Sequence, residues 1–115
     1  MLLTEGDKML VVHRRLFADD SPRFFVGVVS AYEGGVARAV GYSFMRDIAT
    51  GKVARKKDPR TKIVSVASGT LLVYQLPSDM HVESLDIVAQ GQDLVLTDHR
   101  QFKLDLSEWG HASSR

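Results

Sequence analysis

The stretch RFFVGVVSAYEGGVARAVGYSFMR, residues 23–46, decides the fold of this chain. It holds two β-rich runs, residues 23–32 and 36–46, separated by Glu33-Gly34-Gly35. Two glycines accept the positive φ angles that tight hairpin turns require, so the stretch predicts an antiparallel hairpin. One face of the second run carries Val36, Arg38, Val40, Tyr42 and Phe44, and the other carries Ala37, Ala39, Gly41, Ser43 and Met45. The small face predicts close packing against another element, and Gly41 predicts a bulge or bend.

Short β-rich runs bounded by turn residues occupy the rest of the chain at intervals of about ten residues. These runs are residues 8–17, 62–76 (one strand or two, with a break at Ser68-Gly69), 82–89, 94–97 and 101–106. Residues 49–52 read as a turn, and Pro59 excludes a regular central strand at its position. The connections are too short for crossover helices, which disfavours a parallel sheet.

A sustained helical period is missing from the sequence. The only helix candidates are residues 2–6 and 79–85, the second with Ser78 or Asp79 as its cap. The sequence therefore predicts an all-β fold, either a small antiparallel barrel or a compact sandwich of seven to eight short strands, because antiparallel strands must cover their edges. We expect one domain over residues 1–109 and a frayed tail over residues 110–115.

Composition excludes several classes of protein. The chain has 115 residues, of which 44% are hydrophobic and 25% charged, as in an ordinary globular domain. With no cysteine it can form no disulfide, thiolate nucleophile, zinc ribbon or iron–sulfur site. The first eight residues lack the long apolar core of a signal peptide, and no apolar run approaches the ~18–20 residues of a membrane span. The expected location is the cytoplasm, without membrane contact.

Charge is distributed unevenly along a chain whose formal net charge is only +1. Residues 46–62 hold seven bases against two acids. Residues 79–108 hold seven acids against two bases. The near-neutral total therefore hides a basic segment and an acidic segment, which we expect to act on different partners or on each other.

No motif for catalysis, metal binding or cofactor binding is present. The histidines, His13, His81, His99 and His111, lack the i, i+4 spacing of helical metal ligands, although His13 and His99 could meet across a sheet. The nucleophile elbow G-x-S-x-G, the phosphate loop and G-x-G-x-x-G are all missing. Asp19-Asp20 stands beside Ser21-Pro22, the context of a solvated loop tip. The sequence predicts no catalytic residue, no metal, no cofactor and no enzymatic activity.

The basic segment supplies the candidate binding residues. These are Lys52, Arg55, Lys56, Lys57, Arg60 and Lys62. As a mobile cationic loop they would follow a phosphate backbone, with Tyr42, Phe44 or Tyr74 stacking on bases. Two alternatives stay open: a solvated hairpin with the aromatic residues in the core, or a contact with the acidic segment of a neighbouring subunit.

Residues 24–46 also resemble a known motif. The matching pattern is Phe25-Val26-Gly27-Val28-Val29, Tyr32-Glu33 and Val36-Ala37-Arg38-Ala39-Val40, followed by residues 64–76 with Gly69 before Leu71-Leu72-Val73-Tyr74. It resembles the two halves of the Sm-like motif over roughly half of the chain. Gly34-Gly35-Val36 stand where that family has a polar residue that contacts bases. The resemblance implies an SH3/Sm-like barrel that assembles into a ring and binds single-stranded RNA.

Together these features favour a small, self-associating β module that binds or assembles rather than catalyses, with an unassigned ligand. The alternative is an Sm-like protein that binds single-stranded RNA or DNA through residues 52–62. We expect self-association in either case, because edge strands are commonly paired between subunits.

Overall fold

The computed structural model describes residues 3–13, 23–47, 49–90, 93–99 and 102–106. Within these residues the chain forms nine antiparallel strands. They are β1 (Lys8–His13), β2 (Arg23–Glu33), β3 (Val36–Arg46), β4 (Val53–Arg55), β5 (Arg60–Ser65), β6 (Leu71–Leu76), β7 (Asp86–Gln90), β8 (Asp93–Thr97) and β9 (Lys103–Asp105). The predicted all-β class is confirmed. The strand count exceeds the expected seven to eight because the polar segment before Pro59 contains the short β4.

The decisive hairpin forms as the sequence predicts. β2 and β3 pair up to Glu33 and Val36, and Gly34 and Gly35 between them adopt φ angles of 57° and 82°. These are the positive values that a two-residue hairpin turn demands. The register is therefore fixed at the turn and carried along two eleven-residue strands.

The strands form two sheets. A six-stranded sheet has the order β4-β3-β2-β1-β6, with β5 also paired to β3, and a three-stranded sheet has the order β7-β8-β9. β3 pairs with β5 over Val36 to Gly41 and with β4 over Phe44 to Arg46. The partner of β3 thus changes just after Gly41.

Gly41 allows a close approach of strands rather than a bulge. It pairs in register with Gly27 of β2, and the register shift of this hairpin lies between Val29 and Ala31 instead. A Cβ at Gly41 would stand 1.9 Å from the Val26 carbonyl oxygen and 2.4 Å from the Gly27 Cα. The expected bulge at Gly41 is therefore wrong, and the glycine is required because β2 leaves no room for a side chain.

The first core lies between the two sheets. It comprises Leu10, Phe24, Val26, Phe44, Leu76, Met80, Leu85, Ile87, Leu94 and Leu96. The first five of these residues belong to the six-stranded sheet, whereas the rest belong to the three-stranded sheet and the connection that leads to it. Burial of this apolar layer holds the two sheets face to face.

The second core lies on the opposite face of the six-stranded sheet. It comprises Leu3, Met9, Val11, Phe25, Val29, Ala37, Ala39 and Val64. Val64 of β5 and the partly buried Val73 of β6 join it from opposite edges of the sheet. The sheet must therefore curve around this core, and the small face of β3 lies inside the curve, as the alternation predicts.

Several further expectations can be compared with the structure. The break at Ser68-Gly69 is confirmed, because β5 ends at Ser65 and β6 begins at Leu71. Residues 3–6 form a turn, and residues 79–85 contain only a 3₁₀ turn at Val82–Ser84. His81 precedes that turn without a side-chain cap, so the expected cap at Ser78 or Asp79 is wrong. The end of the first run and the tail at residues 110–115 lie outside the described residues.

Candidate functional site: a basic pocket

The candidate site begins with two rows of residues across β1, β2 and β3. Residues that pair across antiparallel strands share a face of the sheet. His13 pairs with Arg23, which pairs with Met45. One step inward, Val11 pairs with Phe25, which pairs with Ser43. The outer row therefore places a histidine and an arginine beside the second core, on its face of the sheet.

β5 adds two cations to the same face. Arg60 pairs with Gly41 and Lys62 pairs with Ala39. Both residues therefore lie on the same face of β5 as the buried Val64. Lys56 is held nearby, since its backbone N–H donates to the Ser43 carbonyl at 2.9 Å. Three separate segments thus deliver basic side chains to one end of the curved sheet.

These residues line a single cavity of about 340 Å³, which we call the basic pocket. Its lining residues are His13, Arg23, Phe24, Ser43, Phe44, Met45, Lys56, Arg60 and Lys62. Of these nine described residues, four are lysine or arginine and none is acidic. The pocket is therefore electropositive by composition.

A stack of side chains positions the Lys62 ammonium. A Cβ at Gly27 would lie only 2.9 Å from the Phe25 ring, so glycine at this position leaves room for the ring. The Lys62 Nζ then lies 5.0 Å from the centroid of the Phe25 ring. This distance is within the range of a cation–π contact, which holds the lysine head at the pocket instead of in bulk water.

The positive charges that line the pocket repel one another. Partial burial lowers the pKa of Lys62 below its usual 10.5, and repulsion by Arg23 and Arg60 adds to this. Partial burial also lowers the pKa of His13 below 6.5, with further contributions from Lys62 and Arg23. An anion in the pocket would relieve this repulsion, because an opposite charge favours the protonated form of each group.

No carboxylate neutralises the pocket within the described part of the chain. The ion pair between His99 Nε2 and Asp86 Oδ2, at 3.6 Å, involves no pocket residue, and both of its side chains are largely exposed. The four basic residues of the pocket therefore carry charge that no described acid compensates. Cation clusters of this kind recognise phosphate and carboxylate groups through charge-assisted hydrogen bonds.

The structure separates the six basic residues that the sequence suggested. Lys56, Arg60 and Lys62 come together in the basic pocket. Lys52 and Lys57, which are also exposed, do not line it. Arg55 has other contacts: its guanidinium lies 4.7 Å from the Tyr42 ring centroid, and its Nη1 donates to the Glu83 carbonyl at 2.9 Å.

Arg55 is consequently part of the link between β4 and the 3₁₀ turn. The Arg55 guanidinium also covers the ring of Tyr42, which is one of the three aromatic residues proposed to stack on bases. Phe44 is only 1% exposed, so a stacking role for it is wrong. Tyr42 and Tyr74 are partly buried against the first core, which supports the alternative that the aromatic residues serve the core.

Sequence reasoning missed His13 and Arg23. Both lie at strand ends that face each other, at the end of β1 and the start of β2. The available signal was the alternation of β1, in which His13 follows the apolar Met9 and Val11 on one face. The alternative in which His13 and His99 meet across one sheet is wrong, since His99 follows β8 in the other sheet.

Other kinds of site were also sought among the described residues. They contain no group of three or more His, Asp or Glu side chains placed to hold a metal ion. None of the described segments forms a helix long and apolar enough to cross a membrane.

The fold and the pocket define an all-β domain of two packed antiparallel sheets with a cationic cavity at one end of the larger sheet. No family model matches the chain, and no curated protein or solved structure matches it significantly.

Proposed function

We propose that this protein is a non-enzymatic binding module that takes phosphate groups of single-stranded nucleic acid in its basic pocket. The observation that carries the proposal is that Arg23, Lys56, Arg60 and Lys62 line one cavity, with no acidic residue among the described residues around it. Phosphate is the anion that such clusters of arginine and lysine bind most often, through charge and bidentate hydrogen bonds.

The surroundings of the pocket favour a strand of nucleic acid over a small isolated anion. Lys52 and Lys57 remain exposed in the same basic segment, where they add diffuse positive charge without lining the pocket. Partial burial of Tyr42 and Tyr74 and full burial of Phe44 leave little aromatic surface for bases. Binding would then depend mainly on phosphate contacts, with strong salt dependence and weak sequence preference. The resemblance of residues 24–46 to the Sm-like motif supports the same class of ligand.

Assembly through the opposite charges of residues 46–62 and 79–108 is the second candidate. Arg55 already contacts the Glu83 backbone within one chain, so part of the basic segment meets the acidic segment inside the subunit. The cations of the pocket remain free of described acids, and for this reason we place the ligand there.

The test is fluorescence anisotropy with a labelled short oligonucleotide at a series of salt concentrations. The logarithm of affinity should fall against the logarithm of salt with a slope of about −0.7 per phosphate contacted. The double variant Arg60→Ala/Lys62→Met should weaken binding and flatten this slope. Methionine keeps the length of the Lys62 stem over the Phe25 ring.

The matched control is Lys52→Ala/Lys57→Ala, which removes the same charge outside the pocket. We expect its slope to stay closer to that of the parent. Absence of binding at low salt, or equal losses in the two double variants, would overturn the proposed site. A shift of oligomer size in the pocket variant, without any binding of nucleic acid, would favour the assembly function instead.

A further inference from the structure

Resting on the proposed function, we infer that the basic pocket recognises the end of a nucleic-acid strand, namely a terminal phosphate monoester, in preference to an internal phosphodiester. The inference comes from the arrangement of the cations, which three separate segments bring to one cavity. It names the chemical group that the pocket selects, which the proposed function leaves open.

The first step is the convergence itself. Arg23 comes from β2, Lys56 from the segment after β4, and Arg60 and Lys62 from β5, yet all four line the same cavity of about 340 Å³. Proteins that follow a strand without sequence preference use a groove in which cations are spaced along the backbone. A single cavity with four cations instead concentrates its charge on one phosphate group.

The second step compares the two kinds of phosphate. An internal phosphodiester carries one negative charge and has two oxygens free of carbon. A terminal monoester has three free oxygens and a charge of about −1.5 to −2 at pH 7, because its second pKa is near 6. Four cationic side chains can pair with the additional charge and the additional oxygen of a monoester. An internal phosphodiester would leave some of these side chains without a partner.

The third step is the environment of the cations. Lys62 is held over the Phe25 ring and lies close to Arg23 and Arg60, which repel it. Among the described residues no acidic side chain lines the cavity, and His13 belongs to the same row as Arg23. Each negative charge of a ligand offsets part of the repulsion among the cations. A dianion therefore stabilises the pocket more than a monoanion does.

The experiment compares three forms of one short oligothymidylate with an internal fluorescent label. The forms carry hydroxyls at both ends, a 5′-phosphate, or a 3′-phosphate. At neutral pH and moderate salt, we expect at least one phosphorylated form to bind about tenfold more tightly than the hydroxyl form, which corresponds to ~1.4 kcal/mol. Near pH 5 this preference should fall towards one, because the monoester then loses its second charge.

Two double variants test whether the basic pocket causes the preference for a terminal phosphate. In Arg60→Ala/Lys62→Met the three forms should bind alike, whereas Lys52→Ala/Lys57→Ala should keep the preference of the parent. Circular dichroism should show that both double variants retain the parent fold. A pocket variant that does not fold is replaced by Arg60→Gln, because Arg60 is exposed and its substitution disturbs no core.

The outcomes separate the two proposals. Equal binding of all three forms by the parent, together with loss of affinity in the pocket variant, would overturn the inference and leave the proposed function in place. A preference that persists in the pocket variant would also overturn the inference. Absence of binding by any form at low salt would overturn both.

Discussion

His13 is the residue whose chemistry depends most clearly on its neighbours. His13 pairs with Arg23, which pairs with Met45, so the three residues form one row across β1, β2 and β3. Leu71 of β6 pairs with His13 on its other side, and Lys62 of β5 lies close by. Burial and two nearby cations lower its pKa below the usual 6.5, so the charged form is disfavoured in the folded protein. The residue that looked like a solitary histidine in the sequence is thus a neutral member of a cationic pocket near pH 7.

This environment predicts a loss of stability in mild acid. As the pH falls below about 6.5, the unfolded chain takes up the His13 proton first, so the free energy of unfolding decreases until the pH passes the lower pKa of the folded state. Between about pH 7.5 and pH 5, urea unfolding should show a larger loss in the parent than in His13→Gln. The remaining histidines are common to both proteins and cancel in the comparison. Equal losses would contradict the lowered pKa.

At the scale of the elements, β5 shows how alternation builds the pocket. Arg60, Lys62 and Val64 face the second core and its open end, whereas Thr61 and Ile63 face the other way. A strand with period two can therefore serve the core and the pocket from one face. β3 is the partner that makes this possible, because its inner face consists of Ala37, Ala39 and Gly41 and leaves room for the long side chains of β5.

The close approach of β2 and β3 predicts that Gly41→Ala is strongly destabilising. The new Cβ would overlap the Val26 carbonyl oxygen and the Gly27 Cα, and both are backbone atoms that cannot turn aside. We expect a loss of about 3 kcal/mol in the free energy of unfolding, or no folded protein at all.

The control is Gly69→Ala, since nothing lies within 4 Å of a Cβ at Gly69. Its stability should stay within about 0.5 kcal/mol of the parent. Urea unfolding followed by circular dichroism measures both variants. A Gly41→Ala protein as stable as the parent would show that β2 and β3 are not this close.

The whole molecule separates charge between its two sides. The described residues of the acid-rich segment, 79–108, form the three-stranded sheet and its connection, which cover one face of the six-stranded sheet. The basic pocket lies with the second core on the other face. Besides the first core, hydrogen bonds link the sides: Arg55 donates to the Glu83 carbonyl, and the Lys8 ammonium donates to the carbonyls of Ser78 and Met80.

We also expect the molecule to self-associate through a sheet edge. Within the described residues, β5 has only β3 as a paired neighbour, and Ile63 on it is 71% exposed. A strand with an unpaired edge presents free backbone N–H and C=O groups, which are a template for pairing with another chain. Sedimentation at tens of micromolar should give a mass above that of one chain, and Ile63→Lys should reduce it. Ala67→Lys, in the exposed turn that follows, is the control and should behave as the parent does. A monomeric parent would refute this prediction.

The sequence alone determined the features that depend on local chain chemistry. Gly34-Gly35 specified the hairpin, because only residues tolerant of positive φ fit a two-residue turn. Alternation specified which face of β3 is buried, and short connectors specified an antiparallel all-β fold. The excess of bases in residues 46–62 also pointed to the region that supplies three of the four lysine and arginine residues of the pocket.

Only the tertiary structure decided how distant residues combine. Three of the six predicted basic residues enter the pocket, while Arg55 turns to Tyr42 and Glu83. His13 and Arg23 join the site although neither belongs to the basic segment, because strand register brings them there. Composition counts charges along the chain, but register and sheet curvature decide which charges share a cavity, and these depend on contacts between residues far apart in the sequence.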